Sequence, residues 1–239
     1  MTPLPLLFYS DDFTGATDAL ATAARAGLRS LLLLELPDTA RLASLGPLDC
    51  LGIAGAVRSM PPAEMRDELA PVASLARALA PRVLHYKTCS TFDSSPEIGS
   101  VGEAVRVLGP AVAGKIVSIV GGQPNLGRHC LFGNLFASAG TNGEVFRVDR
   151  HPTMSRHPVT PMREADLRVH LAQQGFEGIG LVPWTLYAEG EEAVQAYLDK
   201  LGNAGHPAVL WDVAEAAHLP SLGRALWTQA QQASIFAVG

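Results

Sequence analysis

Charge is scarce in this chain. Only 17% of its 239 residues are Asp, Glu, Lys or Arg, against 48% hydrophobic, so a sizeable core is available and disorder is not expected. No basic stretch rises above the acidic background and the formal net charge is -5, which argues against nucleic acid as a partner. Long apolar runs are missing too. None approaches the roughly 18 residues that span a bilayer, so no membrane partner is expected. The N-terminus has no basic segment and reaches Asp11 too early for a signal peptide. A cytoplasmic location is the expectation. Cysteine is rare: Cys50, Cys89 and Cys130 are odd in number and lack C-x-x-C spacing. That argues against a disulfide framework or a zinc site and fits a reducing compartment; no metal site is expected. There is no G-x-S-x-G elbow, no H-E-x-x-H and no G-x-G-x-x-G after the first apolar run.

What the chain does have is alternation. Short apolar runs at 4–9, 30–34, 50–54, 83–87, 115–120, 178–182, 208–211 and 235–238 read as strands. Longer segments at 15–26, 62–79, 99–108, 163–174, 189–201 and 219–231 read as helices. This order predicts an α/β fold: a three-layer domain with a largely parallel sheet covered by helices. One segment breaks the rhythm. It carries Gly133, Gly140, Asn142, Gly143 and Pro152, and predicts a hairpin-like excursion around residues 128–157. Residues 1–239 are expected to form a single domain.

The stretch Tyr9-Ser10-Asp11-Asp12-Phe13-Thr14-Gly15-Ala16 lies where the first strand gives way to the first helix. In open α/β sheets ligands bind at the carboxyl ends of strands. A helix cap accounts for Asp12 or Thr14, and Asp18 suits the first-turn dipole. A cap does not account for both Asp11 and Asp12, which repel unless a cation or a hydroxylated ligand holds them. The pair is adjacent rather than one residue apart, which argues against an aspartyl-phosphate hydrolase.

Arg58 follows the third strand and is either a surface cation or a clamp for a planar carboxylate. The segment from Tyr86 to Ser95 crowds Lys87, Ser90, Thr91, Asp93 and Ser94 into one turn. It suits a polyhydroxylated anion, or it is a Ser/Thr-rich turn capping the next helix. Gly121-Gly122 could cradle a phosphate, but the G-K-[ST] ending of a P-loop is missing. His157, between Arg156 and Pro158, is a site residue or a structural one.

Taken in order, these motifs resemble the four-carbon acid sugar kinase family, and most closely its 3-oxo-tetronate 4-kinase branch. The likeness rests on Asp11 to Ala16, Arg58-Ser59, Tyr86 to Ser94, Pro124 to Arg128 and His157 to Met162. It departs from the family pattern at Leu126 and at Gly121-Gly122-Gln123. The resemblance implies an N-terminal domain that binds the sugar acid, with ATP and Mg²⁺ held mainly by a C-terminal nucleotide-binding domain that residues 1–239 do not include. It implies ATP-dependent phosphorylation of a tetronate or 3-oxo-tetronate at a terminal hydroxyl. Asp12 would be catalytic. Asp11, Thr14, Arg58, Lys87, Ser90, Thr91, Asp93, Ser94, Arg128 and His157 would bind the substrate. The expected partner is a small-molecule sugar acid, with a homodimer left open. The alternative is a stand-alone binding module for a small hydroxy-carboxylic acid, with no catalysis of its own.

Overall fold

The computed structural model describes residues 4–140 and 143–239. In chain order the strands are β1 (Leu6–Ser10), β2 (Ser30–Leu33), β3 (Cys50–Ala54), β4 (Val83–Lys87), β5 (Val117–Gly121), β6 (Arg128–Leu131), β7 (Asn134–Ser138), β8 (Val145–Arg147), β9 (Ile179–Val182), β10 (Ala208–Asp212) and β11 (Ile235–Val238). The helices are α1 (Phe13–Arg25), α2 (Thr39–Ser44), α3 (Pro62–Leu79), α4 (Val101–Leu108), α5 (Leu167–Ala172), α6 (Glu191–Asn203) and α7 (Leu219–Gln232). Eight strands form one sheet in the order β2-β3-β1-β4-β11-β5-β10-β9, every neighbouring pair parallel. Each of the eight apolar runs in the sequence is one of these strands. Parallel strands are buried on both faces and so read as unbroken apolar runs.

Alternation along β1 divides the layers. Leu7 and Tyr9 face a core with Met65 and Leu69 of α3 and Val101 and Ala104 of α4. Phe8 faces the other way, onto Ala16 and Ala23 of α1. The same alternation in β10 sends Val209 and Trp211 to α6 and α7, and Leu210 to the α3–α4 core. The helices that follow β1 and β4 therefore lie on opposite faces, although the two strands are neighbours. Where neighbouring strands send their helices to opposite faces, their carboxyl ends are the position at which doubly wound sheets bind ligands.

The excursion is a separate antiparallel sheet, β6-β7-β8; Asn142 lies outside the described residues. Its tight turn at Phe132-Gly133 has both φ angles positive, 50° and 83°. Three backbone N–H groups converge on the buried Asp212 carboxylate: Phe132 at 2.6 Å, Gly133 at 2.9 Å and Trp184 at 3.2 Å. The end of β10 thereby pins the hairpin tip.

Two elements differ from expectation. The helix predicted at 163–174 is shorter, α5, because the preceding backbone pairs with the hairpin instead: Leu135 N–H donates to Ala165 C=O at 2.8 Å and Leu167 N–H to Gly133 C=O at 2.9 Å. The short helix α2, capped by Asp38, has no counterpart in the sequence reading. Among the described residues no helix is long and apolar enough to cross a membrane.

Candidate functional site

The paired carboxylates at the end of β1 are held by a cation of the chain itself. Arg58, in a 3₁₀ turn after β3, closes its guanidinium fork on Asp11, with Nη2 to Oδ1 at 2.7 Å and Nε to Oδ2 at 3.2 Å. Its Nη1 lies 2.8 Å from Asp12 Oδ2. Bidentate geometry of this kind is among the stronger pairings available to Arg. Backbone bonds fix both ends: Arg58 N–H donates to Asp11 C=O at 3.2 Å, and Asp11 N–H to Lys87 C=O at 3.0 Å. Thr88 adds its hydroxyl to Asp11 Oδ2 at 3.2 Å. Burial pushes the Asp11 carboxyl up from its ordinary range, and the Arg58 fork works against that push.

Asp12 has two tasks. Oδ2 meets Arg58, while Oδ1 caps α1 by accepting from Gly15 N–H at 2.6 Å. The cap explains the glycine: a Cβ there would sit 2.7 Å from Asp12 Oδ1 and 3.0 Å from Ser10 Oγ. Asp12 is more exposed than Asp11.

Lys87 ends β4 beside this first turn, its Cγ 3.7 Å from the position a Gly15 Cβ would occupy. The residue is 8% exposed. Its ammonium donates to Thr88 C=O at 2.5 Å, and among the described residues no carboxylate lies within 4.0 Å. Asp11 feels the Lys87 charge from beyond ion-pair distance, and the group of two Asp, Arg58 and Lys87 is formally neutral, but the ammonium itself has no carboxylate in contact and is placed to meet an anion.

The turn after Lys87 is wired from within. Thr91 Oγ1 donates to Asp93 Oδ1 at 2.6 Å and lies 3.0 Å from Cys89 Sγ. Asp93 Oδ2 accepts from Thr160 Oγ1 at 3.5 Å, and the Thr160 N–H donates to His157 Nδ1 at 3.1 Å. Between Thr91 and Asp93, Phe92 is buried in the left-handed region at φ 54°. Such strain persists only where surrounding contacts enforce it, and functional turns are where it collects.

The structure thus gathers Asp11, Asp12, Arg58 and Lys87 at the carboxyl ends of β1, β3 and β4. Half-buried Ser90 lies on the adjoining turn with Thr91 and Asp93, and His157 joins through Thr160. Ser94 faces elsewhere: its hydroxyl donates to Phe92 C=O and meets His170 and Gln174 of the α5 region at 3.1 and 2.8 Å. Thr14 is exposed, and its C=O accepts from Thr17. Arg128 donates to Leu126 C=O at 2.5 Å and makes no hydrogen bond to the Asp11–Arg58–Lys87 group. The Gly121-Gly122 pair is closely packed. A Cβ on Gly121 would meet Cys130 Sγ at 2.8 Å and one on Gly122 would meet Val213 C=O at 2.5 Å, so these glycines serve close packing of the hairpin.

Sequence reasoning missed Thr88, Thr160 and the bond from Gln123 Nε2 to Asp18 Oδ2 at 2.9 Å, which links the loop after β5 to α1. Only the position of Asp18 one turn beyond Gly15 hinted at the last. Mg²⁺ does not fit the Asp pair, because Arg58 already occupies it, and the described residues hold no cluster of three or more His, Cys, Asp or Glu suited to a metal ion.

Known proteins agree with this architecture. A 3-oxo-isoapionate kinase of Paraburkholderia graminis is 44% identical over 95% of this chain and 47% of its own length. A 3-oxo-tetronate kinase of Methylobacterium radiotolerans is 34% identical over 91% of this chain and 49% of its own length. The chain spans about half the length of the curated relatives it matches. A Salmonella typhimurium LT2 protein described as a putative tRNA synthase superposes with TM-score 0.85 at 25% identity, over 99% of this chain and 53% of that one. A Bordetella bronchiseptica protein, solved as a domain-swapped dimer with bound citrate, shares the fold with TM-score 0.75 at 20% identity, over 99% of this chain and 55% of that one. The family model described as "Sugar-binding N-terminal domain" matches residues 6–239, and the chain belongs to that family.

Proposed function

We propose that this chain is the acid-binding domain of a sugar-acid kinase. It receives a four-carbon hydroxy or 3-oxo acid at the carboxyl ends of β1, β3 and β4 and presents a terminal hydroxyl for phosphorylation. The observation that carries this reading is Lys87: a buried ammonium with no carboxylate partner among the described residues, set beside the first turn of α1. A ligand carboxylate would supply the contact partner that the ammonium lacks, helped by the positive end of α1. Asp12 Oδ2, on the more exposed of the two carboxylates, has a lone pair left to accept the substrate hydroxyl and take its proton. Arg58 then positions the two Asp rather than gripping the ligand. Ser90, Thr91 and Asp93 line the polyol side, with Thr14, Arg128 and His157 at its margins. Ser94 acts indirectly, by bracing the turn.

The names of the relatives support a sugar acid as ligand and phosphoryl transfer as the reaction of the whole protein. A nucleotide and its Mg²⁺ would have to be held outside this chain's described residues. The test is calorimetric titration of the 239-residue chain with L-threonate and D-erythronate. Binding by the wild type and a loss of about 2–5 kcal/mol in Lys87→Ala are expected, the cost of removing one partner of a buried charge pair. Equal affinity in both proteins would overturn the assignment. With Mg-ATP added, the chain alone should release no ADP; substrate-dependent release would place an ATP site within it.

A further inference from the structure

One turn along α1 from Gly15, near which Lys87 lies, is a second feature that the motifs do not include. Gln123 belongs to the loop after β5, and its backbone is fixed at both polar groups: its N–H donates to Arg128 C=O at 2.9 Å, and its C=O accepts from Leu126 N–H at 2.9 Å and Arg128 N–H at 3.2 Å. The loop reaches α1, where the Gln123 amide donates from Nε2 to Asp18 Oδ2 at 2.9 Å. Asp18 lies three residues beyond Gly15, on the same side of the helix, and Gly15 is the residue against which Lys87 packs. The clasp therefore lies one helical turn from the residue that the Lys87 side chain approaches.

The chemistry of the clasp fixes the amide's orientation. An ionised carboxylate only accepts, so the NH₂ end of Gln123 must face Asp18. Its carbonyl oxygen and second N–H are then presented in a defined direction, and among the described residues neither has a partner. One donor and one acceptor, side by side and held on a braced backbone, match an oxo or hydroxyl group next to a carboxylate. An amide left free to flip would offer no such discrimination.

We propose that Gln123 is a specificity-determining residue of the acid-sugar site, reading the oxygen substituent nearest the carboxylate held by Lys87, and that Asp18 is the positioning residue that sets its amide. This rests on the proposed acid-binding function. It also assigns a task to the Gly121-Gly122-Gln123 loop: the glycines pack the hairpin and the glutamine meets the ligand.

The experiment exchanges donor and acceptor across the clasp. Gln123→Glu puts two carboxylates face to face and is expected to lower the melting temperature and weaken L-threonate and D-erythronate at least tenfold. Adding Asp18→Asn restores one donor and one acceptor, so the melting temperature should return. Affinity should stay at least tenfold below wild type, because the carboxylate at position 123 has no N–H to give. Wild-type affinity in the double variant would make the clasp purely structural and overturn the proposal, as would Gln123→Glu binding normally. If the wild type takes neither acid, the acid-binding reading itself falls and the clasp's role with it; if the wild type binds and the double variant binds equally well, only the role of Gln123 falls.

Discussion

At the scale of single residues, the site is a problem of charge placed out of water. Asp11 is almost wholly buried, while Arg58 keeps about a quarter of its side chain exposed. Removing one member of a buried pair leaves the other uncompensated, so Arg58→Ala should cost about 2–4 kcal/mol, the upper figures being reserved for pairs buried on both sides. The loss should depend on pH in a definite direction. A carboxyl whose folded pKa lies above its unfolded value, ~3.9, binds more protons when folded, so stability falls as pH rises through that window. Burial already raises Asp11, and Arg58 is what opposes the rise. Arg58→Ala should therefore lose stability more steeply than wild type as pH increases above about 4. Urea unfolding of both proteins at several pH values checks this; parallel curves would show that Asp11 is not coupled to Arg58. The role of Arg58 was only half legible in the sequence. Guanidinium chemistry pointed to a carboxylate, but nothing local says that the carboxylate is 47 residues upstream in the same chain.

At the scale of elements, the strands and the hairpin-like excursion were legible, but the contacts that fix the excursion were not. A buried parallel strand must be apolar along its whole length, and each of the eight advertises itself by that run alone. Between β5 and β9 the chain offers glycines and prolines without a period. There the structure depends on one distant group, Asp212, whose burial pushes its carboxyl up while backbone N–H groups of Gly133, Phe132 and Trp184 hold it down. The same tip keeps Phe132 in the left-handed region with its ring about half exposed. Bulky residues resist that backbone conformation, so the turn needs its anchor. Asp212→Ala would leave these donors without their acceptor at a cost of about 2–4 kcal/mol. Hydrogen exchange should then speed up across β6 and β7 while β1 and β4 remain protected. Unchanged protection at residues 130–136 would show that the hairpin holds its shape without the carboxylate. The shortened α5 has the same origin, since residues 163–166 obey the hairpin rather than their own helical propensity.

At the scale of the whole molecule, β11 is last in the chain yet sits between β4 and β5, near the middle of the sheet. Its residues Phe236 and Val238 are buried in the same core as Leu7 and Tyr9. A chain lacking residues 233–239 should fail to melt cooperatively, because two central strands would face each other across an unfilled gap. A sharp calorimetric transition in that deletion would show that the two halves of the sheet are independently stable. The same placement sets a timetable for biosynthesis. Elongation proceeds at about 5–20 residues per second, and domains tend to fold as they emerge. Here β4 and β5 leave the ribosome with open edges and must wait for more than a hundred further residues before the strand that separates them arrives. Through that interval the nascent chain exposes two apolar strand edges at once, the kind of surface that recruits holding chaperones and that mispairs when translation stalls.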